Sequence, residues 1–158
     1  MEIKLTKGLS VLVDADDYEF LNQWKWYALR PTGNNNNYAA RGVYDKVTKK
    51  RTTLYMHKLL LDTKDYVDHR NRNTLDNRRS NLRNATPSQS RGNGTPKGVS
   101  KYMGVSWSKG SSKWQATISY GGRKRHLGLF DNEKDAALMY NSWAKEVHRE
   151  FANLNVVD

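Results

Sequence analysis

Cysteine is absent from this 158-residue chain, so neither disulfides nor thiolate zinc sites can staple its parts, and the redox compartment is open beyond compatibility with the cytosol. No apolar run approaches the roughly 18 residues of a membrane span. The start, Met1-Glu2-Ile3-Lys4, lacks the apolar stretch of a signal peptide. These absences lead us to expect a soluble, intracellular protein with no membrane partner.

Acidic residues are scarce in one place. From His69 to His126 thirteen Lys/Arg face a single acid, Asp76, while the rest of the chain holds fourteen basic and fifteen acidic residues. The whole chain carries a formal charge of +11, with a pI near 9.8. Solvated faces usually mix signs. A run of one sign implies a polyanionic partner whose phosphates it neutralises.

Composition divides the chain into modules, read as an α+β protein. Residues 1–55 form a β-rich region: an apolar run Leu9 to Val13, an acidic helix start Asp14 to Asp17, and paired strands Tyr38 to Tyr44 and Thr52 to Met56 around Lys49-Lys50. Gly33 to Asn37 is the loop before that pair, and Trp24 and Trp26 are expected in the core. Residues 56–93 hold few apolar side chains and need neighbours or a metal to become ordered. Ser90 to Ser100, with Gly92, Gly94, Pro96 and Gly98, reads as a flexible linker, placed at 94–101, with basic residues such as Arg91 able to follow DNA. Residues 102–158 show the clearest periodicity. Trp114, Ala116, Ile118 and Tyr120 alternate with polar residues, Gly121-Gly122 marks a hairpin, Arg123 to Phe130 returns, and Asn132 with Asp135 caps an apolar-faced helix. Three antiparallel strands packed on one helix result.

The chemistry-bearing stretch is Val67-Asp68-His69, with Asn81 twelve residues after the histidine and Arg78, Arg79 and Arg83 around it. Hydrolysis of a phosphodiester needs a water deprotonated near phosphorus and neutralised charge on the phosphate and leaving oxygen. An imidazole of ordinary pKa suits the first task, and an adjacent carboxylate suits a hard cation such as Mg²⁺. Successive strand residues point to opposite sides, so a strand end or bulge is required for both to converge.

Met56-His57-Lys58-Leu59-Leu60, Val67-Asp68-His69, Leu75 to Arg83 and Thr86-Pro87-Ser88-Gln89 resemble, in order, the HNH nuclease motif of phage and intron-borne homing endonucleases. Leu5-Thr6-Lys7-Gly8, Val13-Asp14 and Trp26-Tyr27 resemble their leaders. The resemblance implies a ββα-metal unit over 56–93 in a bacterial or phage-infected cell. It makes His69 the general base, Asp68 a ligand of one Mg²⁺ (or Mn²⁺), Asn81 the amide orienting the imidazole, and Arg78, Arg79 and Arg83 phosphate contacts. The last metal ligand, usually asparagine or histidine in the family, falls on Ser90, a weaker donor. The alternative implied by that departure is a DNA-binding or regulatory relative that has lost cleavage. His57 is expected to be structural and His148 an ordinary helix residue.

Tyr102-Met103-Gly104-Val105, Trp114 to Ile118, His126 to Asp131 and Ala136 to Tyr140 resemble the APETALA-type, ethylene-response-factor DNA-binding domain, whose sheet enters the major groove. Carried over, the positions facing double-stranded DNA are Met103, Ser106, Ser108, Thr117, Ser119, Lys124 and His126. Several are arginine or tryptophan in the plant proteins. Their replacement by Met103, Ser106 and Ser108 removes bidentate donors. A monomer without a small-molecule cofactor is expected. An RNA-binding module fits less well, because single-strand recognition signatures are lacking.

Overall fold

The computed structural model describes every residue except Asn34, in the expected loop 33–37, and Lys97, in the expected linker. The chain divides into two compact units, Met1–Ala85 and Thr86–Asp158. The basic run is therefore shared, and each unit is basic overall: sixteen Lys/Arg against ten acids in the first, eleven against six in the second.

In the first unit β1 (Glu2–Lys4) pairs with β2 (Ser10–Leu12). Asp14 stands at the N-cap position of α1 (Ala15–Asn22), its carboxylate accepting from the Arg79 N–H at 2.7 Å rather than from the helix, and Asp16 and Asp17 favour the positive end of the helix dipole. Strands β3 (Tyr27–Leu29), β4 (Tyr38–Asp45) and β5 (Lys50–Tyr55) form an antiparallel sheet in that order. The short helix α2 (Met56–Leu60) leads to a hairpin of β6 (Tyr66–His69) and β7 (Leu82–Ala85). One apolar core joins the N-terminal region to the start of the expected nuclease motif. Ile3, Val11, Val13, Leu21 and Trp26 pack with Met56, Leu60 and Leu82. Full burial of such side chains contributes about 1.5–3 kcal/mol each, so residues 56–85 are held largely by a core whose other half lies before Tyr55. Trp26 is buried as expected and donates its indole N–H to the Leu21 carbonyl at 2.8 Å.

In the second unit α3 (Pro87–Gly92) precedes a three-stranded sheet of β8 (Val105–Ser108), β9 (Lys113–Tyr120) and β10 (Arg123–Phe130), ordered β10-β9-β8, and the long helix α4 (Glu133–His148). The hairpin turns at Gly121-Gly122, both at positive φ, and Asn132 caps α4 by accepting from the Asp135 N–H at 2.8 Å. Ala116, Ile118, Ala136, Ala137, Tyr140 and Ala144 are buried between sheet and helix.

The linker expectation is corrected at its start. Residues 87–92 are helical, opened by a capping box in which Thr86 and Gln89 exchange hydrogen bonds. Gly92 and Asn93 are buried. A Cβ at position 92 would stand 2.8 Å from the His148 ring, so this glycine permits close packing rather than marking flexibility.

Candidate active site

Asp68 and His69 are the last two residues of β6, a strand end, yet among the described residues their side chains do not converge on a common partner. The register sets Asp68 opposite Arg83 and His69 opposite Leu82. The side chains then diverge. Asp68 Oδ2 accepts from Arg83 Nε at 2.8 Å and lies 2.7 Å from a terminal guanidinium nitrogen, with both side chains over nine-tenths buried. His69 instead meets Asn77, whose Oδ1 is 2.9 Å from Nε2. A carboxamide oxygen only accepts, so Nε2 carries the proton and the basic lone pair falls on Nδ1. Burial pushes the His69 pKa below its ordinary value, opposed by the Asn77 hydrogen bond and by the charges of Asp68 and Asp76.

The amide beside the imidazole is thus Asn77, whereas the family resemblance implies Asn81. Asn81 acts one step away, on the twelve-residue connection between β6 and β7. Its Oδ1 accepts from the Asn71 N–H at 2.9 Å, and its Nδ2 donates to the Asp76 carbonyl at 2.7 Å. Asx turns at Asn71 and Asn73 shape the same loop, and Asn77 N–H donates to the Leu12 carbonyl at 2.8 Å. The loop is closed by local polar bonds and tied to β2, and so delivers Asn77, wholly buried, to His69. The Asp76-Asn77 pair within the motif was the available signal for this residue.

Two of the arginines expected on phosphate are also tied to carboxylates. Arg78 Nε and NH2 reach the two oxygens of Asp76 at 2.8 and 2.7 Å, holding its carboxyl below the usual carboxylate range. Arg79 grips Asp17 of α1 at 2.8 and 2.7 Å and donates to the Leu60 carbonyl at 2.8 Å. Bidentate arginine–carboxylate pairs are the strong, orienting kind. Arg78 and Arg79 keep 49% and 55% of their side-chain surface exposed, whereas Arg83 keeps 8%. Solvent screening leaves the two exposed pairs modest in energy and useful chiefly as clamps.

His57 has a closer association with the site than its position before the motif suggested. It is buried, its ring centroid lies 5.2 Å from that of His69, and it stacks on Tyr55 at 5.4 Å, with Tyr38 edge-on to both histidines. Its Nδ1 and the Nδ2 of Asn77 are buried without a hydrogen-bond partner among the described residues. Burial, followed by the neighbouring His69 and Lys58, pushes the His57 pKa down to about 3. Because the unfolded imidazole titrates near 6.5, the unfolded state binds more protons between these values. Stability is therefore expected to be unaffected by this group above pH 6.5 and to fall by about 1.4 kcal/mol per pH unit as the pH drops from roughly 6 toward 3. Urea unfolding across that range, compared with His57→Phe, checks this; identical acid slopes for both proteins would refute it.

The first unit buries three carboxylates, Asp17, Asp68 and Asp76; of these Asp68 is the neighbour of His69 in the strand and the candidate oxygen donor for a divalent ion. Among the described residues no cluster of three or more His, Cys, Asp or Glu forms a cage. That set fits Mg²⁺, which keeps most of its waters and takes one or two protein oxygens, better than it fits a fully protein-ligated metal. Ser90 stands on α3 in the second unit, half-buried, its N–H bonded to Thr86.

The sheet of the second unit has one largely polar face. The register aligns Ser106 with Gln115, Thr117 with His126 and Ser119 with Lys124, and Gln115 Nε2 contacts His126 Nδ1 at 2.8 Å. Ser106, Ser119, Lys124 and His126 are exposed, as is Arg91 on α3, and Ser108 is half-buried against Ser111. Two placements differ. Met103 packs on the helix side with Ile118, Tyr140 and Ala144, and Thr117 is buried beneath Gly104. Position 104 must be glycine: it sits at φ +71, and a Cβ there would overlap the Tyr140 ring and the Thr117 carbonyl.

A protein of Acanthamoeba polyphaga mimivirus, called an uncharacterized HNH endonuclease, is 29% identical over 160 residues, spanning 96% of this chain and 78% of its own length. Protein 3.8 of Escherichia phage T7 is 34% identical over 89 residues, 55% of this chain and 73% of the phage protein. The chain belongs to the same family as that phage protein, whose name states no activity, and it is related along nearly its whole length to a protein named as an HNH nuclease. No family model and no solved structure matches. Among the described residues no helix is long and apolar enough to cross a membrane.

Proposed function

We propose that this protein is a metal-dependent HNH endonuclease that hydrolyses phosphodiester bonds of duplex DNA. The observation that carries the reading is the His69 imidazole, buried at a strand end, fixed through Nε2 by Asn77 and flanked by Asp68, in a chain similar throughout to a protein named for that activity. With Nε2 committed to Asn77, His69 takes the proton of the attacking water at Nδ1. Its lowered pKa keeps it in the neutral, proton-accepting form at physiological pH. Asp68, steadied by Arg83, offers the carboxylate that holds the divalent ion; when bound, the ion neutralises charge developing on phosphate and leaving oxygen. The exposed halves of Arg78 and Arg79, together with Arg91, Ser106, Ser119, Lys124 and His126, are the proposed DNA contacts. Arg83, Met103 and Thr117 leave that set because they are engaged or buried. A labelled linear duplex cut only when a divalent ion is supplied supports the reading; an intact duplex under all metals tried refutes it.

A second reading, a DNA-binding relative without cleavage, is favoured by the engagement of Asp68 with Arg83 and by the family resemblance, which puts Ser90 where a stronger ligand is usual. Ser90→Asn separates the two. We expect it to raise the cleavage rate and to lower the Mg²⁺ concentration giving half-maximal rate. Unchanged cleavage together with tight metal binding by the wild-type protein would show that Ser90 is no defect.

A further inference from the structure

The β4–β5 hairpin has two unlike faces. One turns to the core, with Ala39 buried and the Arg41 guanidinium 4.2 Å over the Trp24 ring. On the other, the cross-strand pairs Ala40–Tyr55, Gly42–Thr53 and Tyr44–Arg51 follow in register. This second face begins at the imidazoles, because Tyr55 stacks on His57, which adjoins His69. It ends at Arg51 beside the turn at the hairpin's tip, where Lys46 and Lys49 are also exposed, with the exposed Lys50 next to them on the strand's opposite face. Four residue steps along the strand separate Tyr55 from Arg51, about 13 Å at the usual rise, or roughly four steps of a duplex at 3.4 Å each.

The charge on this tip differs from that around the motif. Arg78, Arg79 and Arg83 each face a carboxylate, whereas none of the four tip cations has an ion-pair partner among the described residues. The nearby acid, Asp45, is spent on the turn. Its carboxylate accepts from Val47 N–H at 2.8 Å, Thr48 N–H at 3.2 Å and the Thr48 hydroxyl at 2.7 Å, which fixes the tip's shape. Midway, a Cβ at Gly42 would meet nothing within 4 Å, so the face is open there to a close-lying backbone.

We infer that this face of the hairpin is a phosphate track, which receives the backbone of duplex DNA at the cationic tip and leads it to His69. The inference rests on the nuclease reading for its ligand. Binding is tested on full-length protein in EDTA, by fluorescence anisotropy with a duplex of about 30 base pairs over a range of salt concentrations. The wild-type protein is compared with a Lys49→Gln/Lys50→Gln/Arg51→Gln variant and, on the other unit, with Lys124→Gln. Each lost phosphate contact reduces the slope of log K against log salt by about 0.9, so the triple variant is expected to lose roughly 2.7 in slope with an unchanged melting temperature. A triple variant that matches the wild-type slope and affinity, while the wild-type protein binds and cuts DNA, overturns the track and leaves the nuclease reading standing. A wild-type protein that binds no duplex DNA, or whose triple variant weakens only RNA binding, overturns the track as well; in the first case the nuclease reading falls with it.

Discussion

Replacing His69 with alanine is expected to slow DNA cleavage by about 10²–10⁴-fold, the usual contribution of a positioned general base, while duplex affinity changes little. The two effects separate because His69 is buried and hydrogen-bonded to Asn77, whereas the proposed DNA contacts lie on exposed side chains elsewhere. Single-turnover cleavage and anisotropy on the same preparation measure them together, with circular dichroism confirming that the variant is folded. Parallel loss of binding and cleavage would remove His69 from the base role and make it a packing residue.

The second large effect concerns stability. Asp68 and Arg83 form an ion pair with 6% and 8% of their side-chain surfaces exposed. Removing one partner of such a pair leaves a buried charge uncompensated, at a cost of about 3–5 kcal/mol. Arg83→Ala is accordingly expected to destabilise the first unit by that amount in urea unfolding. A double replacement of Asp68 and Arg83 by leucine should recover most of the loss, because apolar substitutes avoid the desolvation penalty. If Arg83→Ala costs under 1 kcal/mol, the pair is hydrated and Asp68 is not held by it. If the double replacement recovers stability and abolishes metal-dependent cleavage, the carboxylate is retained for chemistry at the expense of folding energy.

What could be read from the sequence was what local signals determine. Alternation from Trp114 to Tyr120, the Gly121-Gly122 turn, the Asn132 cap and the acidic start at Asp14 each act within a few residues, and the corresponding elements stand where expected. The same holds for the strands on either side of Lys49-Lys50. The site was less legible because its pairings depend on closure of the whole unit. Arg79 finds Asp17 across 62 positions, and neither spacing nor charge run announces that partner. Asn77 and Asn81 are four residues apart in one loop. Only the Asx turns and the tie to Leu12 decide which of them reaches the imidazole. The resemblance puts Met103 on the DNA face, but Gly104 turns the chain at positive φ and lets its neighbour pack toward α4. The helix at 87–92 did carry a readable signal, the Thr86 to Gln89 capping box, which the glycines that follow obscured.

The central claim, metal-dependent cleavage of duplex DNA, is tested most directly by incubating the purified full-length protein with supercoiled plasmid and Mg²⁺ or Mn²⁺, with an EDTA arm and a His69→Ala arm. Nicked or linear plasmid that appears with metal and is lost in both controls is the predicted result. Plasmid that stays supercoiled with either metal, while its gel mobility is shifted by bound protein, would contradict it and identify a binding protein that does not cut.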